Sequence, residues 1–184
     1  EGTITIEKAS LTVTAVNKER KYGEINPVFE ASYTGFKNDE DFEKSDLTGQ
    51  PGLTTIADTL TPIGTYTITA SEGELASRNY TMTYVDGDLK IDPAQIAVTI
   101  ANKTKTYGDA NPSLTYTLNG FENGEDETSS GMTGAFEISV NADETTGVGE
   151  YPIEVQVNTL AASNYEFNVV PGALTIEKAT LDAV

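Results

Sequence analysis

Apolar and polar residues alternate in short runs along the whole chain, the period expected of strands that bury one face. Leu11, Val13 and Ala15 alternate with Thr12 and Thr14, and Ile96, Val98 and Ile100 repeat the pattern further on. Phe29, Ala31 and Tyr33 are matched by Leu114, Tyr116 and Leu118, and Tyr66 and Ile68 by Tyr151 and Ile153. Tyr80, Met82 and Tyr84 are matched by Tyr165, Phe167 and Val169, while Leu89 and Ile91 correspond to Leu174 and Ile176. These runs are β-branched and aromatic, the residue types that fit a pleated, half-buried surface. About six strands are expected in each half.

Turn chemistry separates the runs. Asp86-Gly87 stands between Tyr84-Val85 and Leu89-Ile91, a spacing that predicts a tight hairpin with Gly at positive φ. Pro171-Gly172 takes the same place in the second half. Asn26-Pro27 and Asn111-Pro112 read as loop ends, because Pro is accepted only at a strand's start or on an edge. The polar stretch from Lys37 to Asp46 has room for one helical turn. Its counterpart carries Gly124, Ser129, Ser130 and Gly131, which argues against a longer helix.

The matched runs share one register. Tyr22-Gly23 returns as Tyr107-Gly108, Gly35-Phe36 as Gly120-Phe121, Thr48-Gly49 as Thr133-Gly134 and Asn79-Tyr80 as Asn164-Tyr165, each 85 positions on and without a gap. Ile6-Glu7-Lys8-Ala9, Ile91-Asp92-Pro93-Ala94 and Ile176-Glu177-Lys178-Ala179 keep the same spacing. The expected division is a closing strand of a preceding repeat at 1–9, one repeat at 10–93, a second at 94–178, and the start of a following one at 179–184. The expected partners are then neighbouring repeats in a longer array. The fold class expected is all-β, two tandem small antiparallel β-sandwich (Ig-like) domains, each with at most one short helical turn. A β-grasp-like sheet crossed by a helix is the alternative, disfavoured because no amphipathic helix pattern appears. The joint at Asp92-Pro93 lacks a Gly/Ser-rich spacer, so the copies are expected to stack end to end with restricted motion.

Composition narrows the function. With 29 acidic and 11 basic residues the formal charge is −18. That balance disfavours nucleic acid and anionic membranes, both of which demand Lys and Arg. No run approaches the ~20 apolar residues of a membrane span, so no membrane insertion is expected of these residues. There is no Cys and no His, which removes disulfides, thiolate and imidazole metal sites and His-based triads.

The quoted residues resemble the MBG-type repeat domains of bacterial surface proteins, the variety named for its Tyr-Gly motif. The resemblance rests on Lys21-Tyr22-Gly23-Glu24 with Asn26-Pro27, on Gly35-Phe36, Gly64-Thr65-Tyr66-Thr67-Ile68 and Asn79-Tyr80, and on Gly87-Asp88-Leu89-Lys90-Ile91. The second copy repeats them at Thr106-Tyr107-Gly108-Asp109, Asn111-Pro112, Gly120-Phe121, Gly149-Glu150-Tyr151-Pro152-Ile153, Asn164-Tyr165 and Gly172-Ala173-Leu174-Thr175-Ile176. The resemblance implies a tandem module of large secreted or surface-anchored proteins, extracellular, adhesin-like and without catalytic residues. From the residues themselves, Gly23 and Gly108 are expected in a conformation other residues resist, and Tyr22 and Tyr107 are expected to bury their rings.

The acids that recur in both copies are Glu40/Glu125, Asp41/Asp126 and Asp58/Asp143. All fall on apparent loops, and a capping or solvent-facing role is preferred over catalysis. No catalytic residue and no cofactor is therefore assigned. Calcium is the minority reading, with Asp39, Asp41, Glu125 and Asp126 as candidate ligands. Neither acidic loop follows the EF-hand spacing. The expected function is a structural spacer or stalk that projects other domains of a surface or secreted protein. The alternative is a module that binds an extracellular glycan, mucin or host protein. Most tyrosines sit on core-facing parity and Trp is absent, which favours the spacer.

Overall fold

The computed structural model describes residues 2–156 and 160–181. The chain divides into two units at Asp92/Pro93. Unit 1 contains β1 (Ala9–Ala15), β2 (Lys18–Lys21), β3 (Ala31–Thr34), β4 (Gly52–Thr54), β5 (Gly64–Ser71), β6 (Tyr80–Val85) and β7 (Gly87–Asp92). Unit 2 contains β8 (Ala94–Ile100), β9 (Lys103–Thr106), β10 (Tyr116–Asn119), β11 (Glu137–Val140), β12 (Gly149–Gln156), β13 (Tyr165–Val170) and β14 (Gly172–Glu177). No helix occurs among the described residues. The polar loops each make one helix-like turn, Ser45 N–H donating to Asp41 O at 3.0 Å and Ser130 N–H to Asp126 O at 2.9 Å.

Each unit is built from two sheets, ordered β3-β1-β6 and β2-β7-β5-β4 in unit 1, and β10-β8-β13 and β11-β12-β14-β9 in unit 2. The alternation read from the sequence sets which face is buried. Leu11, Val13 and Ala15 of β1 and Ile96, Val98 and Ile100 of β8 are all buried. In unit 2 one apolar cluster joins Val98 and Ile100 of the first sheet to Ile153, Leu174 and Ile176 of the second. In unit 1 Leu11, Val13 and Tyr80 pack with Leu47 and Leu75 from loops. Fully burying such a side chain stabilises by about 1.5–3 kcal/mol. Leu47 and Leu75 are held in place by the bridge of Thr48 with Ala76, which Thr133 and Ala161 repeat.

Three expectations are corrected. The pairing is not purely antiparallel: β1 runs parallel to β6 and β2 parallel to β7, and unit 2 repeats both pairs in β8/β13 and β9/β14. Such pairs need long connections rather than tight turns, and a strand's own alternation carries no record of its partner's direction. The Asp86-Gly87 hairpin is absent as well, because β6 and β7 lie in different sheets. Gly87 is needed for closeness, not for positive φ: a Cβ there would stand 2.4 Å from Ala15 O, and at Gly172 2.7 Å from Ile100 O. Beside it, Asn17 Oδ1 accepts the Asp88 N–H at 2.8 Å, and Asn102 repeats this with Ala173 at 2.9 Å. Finally, two strands per unit were not foreseen, β2 and β4 and their counterparts β9 and β11. β2 reads Lys-Glu-Arg-Lys, and as an edge strand it has no apolar alternation to reveal it.

Residues 3–8 form no strand, and Ile4 and Ile6 are about nine-tenths exposed. Their repeat equivalents, Leu89 and Ile91, are buried in β7.

Candidate functional site

The Tyr-Gly loop follows β2 in unit 1 and β9 in unit 2. Gly23 and Gly108 both adopt positive φ, 85° and 94°, the conformation that favours glycine. Tyr22 N–H donates to Asp92 O at 2.9 Å and Tyr107 N–H to Glu177 O at 2.8 Å, so each loop is tied to the last strand of its own unit. Tyr22 is buried, whereas Tyr107 is 47% exposed. Burial of the ring is therefore not what the turn requires; the glycine geometry and the backbone tie are what the copies share. Glu24 closes the turn in unit 1, its carboxylate accepting the Lys21 N–H at 2.8 Å.

Behind each loop lies a buried cation that sequence reasoning missed. Arg20 is 5% exposed and Lys105, its equivalent 85 residues on, 7%. Arg20 donates to Asn26 Oδ1 at 2.7 Å, Lys21 O at 2.9 Å and Asp58 O at 2.5 Å. Lys105 Nζ donates to Asp109 O at 3.0 Å and Asp143 O at 2.6 Å. The Asn of each Asn-Pro pair completes the cradle, Asn26 donating to Ala57 O at 2.7 Å and Asn111 to Ala142 O at 2.5 Å. Backbone carbonyls thus take the place of water around the charge, and buried cations are tolerated only when so partnered. The cradle pins two loops about 35 residues apart, and the signal that pointed to it was a basic residue at the same repeat position in an otherwise acidic chain.

The recurring acids are all engaged in local structure. Glu40 accepts the Tyr80 hydroxyl at 2.6 Å, and Glu125 the Tyr165 hydroxyl at 2.5 Å. The same hydroxyls accept the Lys37 and Glu122 N–H groups, both at 3.0 Å, so the Asn-Tyr motif latches the acidic loop to β6 and to β13. Asp41 accepts from Lys44 N and Nζ at 2.9 and 2.8 Å. Asp126 accepts from the Thr128 and Ser129 N–H groups at 2.9 and 2.8 Å. Asp58 caps the Leu60 N–H at 3.0 Å and Asp143 the Thr145 N–H at 2.9 Å. Bonding to the Lys44 side chain holds Asp41 below the usual carboxylate range. The Ser129 N–H does the same for Asp126, and the Thr145 hydroxyl for Asp143. A general acid requires the opposite shift.

Of the candidate calcium ligands, Asp41 and Asp126 therefore serve as caps and Glu125 binds Tyr165, while Asp39 sits at φ 57° at a loop tip. Among the described residues no group of three or more acids is placed to hold a metal ion.

A cleft of about 570 Å³ opens beside the edge strands β3 and β4, lined by Phe29, Tyr33, Phe42, Gln50, Pro51 and Leu53. The Tyr33 and Phe42 rings lie 5.2 Å apart within it. Unit 2 places Tyr116 and Phe136 at the repeat positions of Ala31 and Pro51, and their rings pack at 4.6 Å.

The two units correspond to two successive matches to one family. The sequence model of the MBG domain (YGX type) matches residues 11–90 and again 96–175. No curated protein matches the chain. MBG domains are associated with surface and adhesin-like proteins. With the two matches spanning most of its length, the chain belongs to the MBG domain family of the YGX type, as a tandem pair.

Proposed function

We propose that this pair is a non-catalytic spacer of a bacterial cell-surface or secreted adhesin-like protein, projecting other domains away from their attachment point. One observation carries the reading: the side chains that recur in both units are spent on holding the units together. Asn26/Asn111, Glu40/Glu125, Asp58/Asp143 and Tyr80/Tyr165 each bind a partner inside their own unit. A repeated reactive group would instead be expected to face open space with a shifted pKa suited to proton transfer. The net charge of −18 suits a soluble element that repels its own copies.

The test is reach. A fluorescent reporter is displayed on cells above one, two and three copies of this chain, and its height over the membrane is measured. Height should rise by a similar increment with each copy. A height that stays constant as copies are added overturns the spacer role. The second reading, binding of an extracellular glycan, mucin or host protein, is favoured by the unit 1 cleft with its half-buried aromatic walls.

A further inference from the structure

Two Asn-Gly pairs stand in unit 2, and the fold treats them differently. Asn119-Gly120 ends β10, where Asn119 lies opposite Ala97 in the ladder with β8. Gly120 is pressed against that neighbouring strand, since a Cβ there would stand 2.3 Å from Gln95 O. Asn123-Gly124 forms the tip of the acidic loop, with both residues exposed. A Cβ at Gly124 would meet nothing within 4 Å. Their φ values of 55° and 73°, with Glu125 N–H donating to Glu122 O at 2.9 Å, make a type I′ turn. Unit 1 builds the same turn from Asn38-Asp39, at φ 56° and 57°, with Glu40 N–H donating to Lys37 O at 3.0 Å.

An asparagine followed by glycine is open to attack by its own backbone. The Gly124 nitrogen, on losing its proton to base, bonds to Asn123 Cγ. The Cγ–Nδ2 bond breaks, Nδ2 takes up a proton and leaves as ammonia, and a cyclic imide closes. Water then opens the ring at either carbonyl, giving aspartate or a β-linked isoaspartate with one extra carbon in the main chain. Base and water are the sole co-reactants. The nitrogen reaches Cγ only when the peptide plane between the two residues turns. At the tip that motion disturbs one turn; at Asn119 it breaks the ladder with β8 and moves Gly120 against Gln95 O. Exposed turns open at far lower free energy than strands held in sheets. In unit 1 the attacking nitrogen belongs to Asp39, whose Cβ crowds the approach that glycine leaves clear.

The two ends of the unit 2 turn grip one side chain. Glu122 N–H donates to the Tyr165 hydroxyl at 3.0 Å, and that hydroxyl donates to Glu125 Oε2 at 2.5 Å. An isoaspartate between them lengthens the backbone that sets their spacing. We propose that Asn123-Gly124 is a self-modification site, at which deamidation to isoaspartate loosens the acidic loop of unit 2 from Tyr165 as the chain ages, while unit 1 keeps its latch. The proposal goes beyond the spacer role, and the reach experiment can succeed or fail independently of it.

The test is to age the 184-residue chain at mildly alkaline pH and map the products by peptide mass spectrometry, with isoaspartate methyltransferase labelling to separate the two linkages. Asn123 should convert at least about tenfold faster than Asn119 or Asn38, chiefly to isoaspartate. In the chain unfolded by guanidinium, Asn119 and Asn123 should convert at similar rates, because the fold then no longer distinguishes them. Hydrogen exchange at the Glu122 amide, which reads the latch directly, should quicken severalfold in the aged chain. Asn123→Asp carries the added charge without the extra carbon and should leave that exchange as slow as in the fresh chain. Equal rates at Asn119 and Asn123 in the folded chain, conversion at Asn38 as fast as at Asn123, an Asn123→Asp chain that exchanges as fast as the aged one, or isoaspartate formed from Asn123 with Glu122 exchange unchanged would each overturn the proposal.

Discussion

Two copies of one fold, aligned without a gap, show which parts of the unit are obligatory. Both keep the close approach at Gly35/Gly120, the Asn that braces the cation cradle, the Tyr-to-Glu latch and the parallel pairing of the first and sixth strands. The contents of the interior differ. Arg20 becomes Lys105, Tyr33 and Phe42 become Leu118 and Glu127, and Ala31 and Pro51 become Tyr116 and Phe136. Asp46, which accepts from the Ser77 hydroxyl at 2.7 Å and the Arg78 N–H at 2.6 Å, becomes Gly131. The difference teaches that the few loop anchors common to both units specify this fold, that an anchor such as Asp46 is accessory, and that the core needs only sufficient apolar area. Hydrogen bonds are directional and admit few substitutes, whereas apolar burial is roughly proportional to area and indifferent to which side chain supplies it.

The comparison breaks most severely at the shared glycines. Gly35 and Gly120 sit at φ 108° and 106°, where a Cβ would stand 2.7 Å from Ser10 O and 2.3 Å from Gln95 O. Gly120→Ala should destabilise unit 2 by about 3 kcal/mol, and Gly35→Ala unit 1 by somewhat less, from strained backbone and close contact. Amide hydrogen exchange on the full chain checks this, since it reads each unit separately. Equal loss in both units from either change would contradict the division at Asp92/Pro93.

The buried cations sharpen it next. Arg20→Met leaves the Asp58 and Lys21 carbonyls without their donor, and should cost unit 1 about 2–3 kcal/mol. Lys105→Met should cost unit 2 about 1–2 kcal/mol, because fewer donors are lost. Urea unfolding of each variant, followed by unit-resolved NMR peak intensities, supplies both values. A Lys105 variant costing more than the Arg20 variant would mean that donor number is not what ranks the two cradles.

The smallest effect is the most selective. The Ser77 hydroxyl, with the Arg78 and Asn79 N–H groups, holds Asp46 below the usual carboxylate range. A folded-state pKa below the unfolded one contributes stability above the unfolded value and loses it as pH falls through the folded one. The gap between the parent chain and Asp46→Ala should thus be complete at pH 6 and shrink below about pH 4. It should be confined to unit 1, because unit 2 has Gly131 in that place. Asp41, Asp126 and Asp143 titrate in both proteins and cancel in the difference. A gap that widens on acidification would reverse the assigned role of Asp46.

The sequence by itself determined whatever is local or periodic: the 85-residue register, the buried faces of β1, β5 and β6 and their counterparts apart from Val169, which is exposed at the end of β13, the positive φ of Gly23 and Gly108, and the absence of imidazole and thiol chemistry. These follow from period-two alternation and from what a single residue type permits, so they need no knowledge of which segments meet. Only the tertiary structure decided the rest. The direction of β6 against β1, the transfer of the chain from one sheet to the other at Gly87, the polar strand β2, the burial of Arg20 and Lys105 and the cleft beside β3 and β4 all join segments roughly 20 to 70 residues apart. Pairing direction and loop proximity are properties of two chain segments at once, and alternation within either one is the same whatever lies beside it.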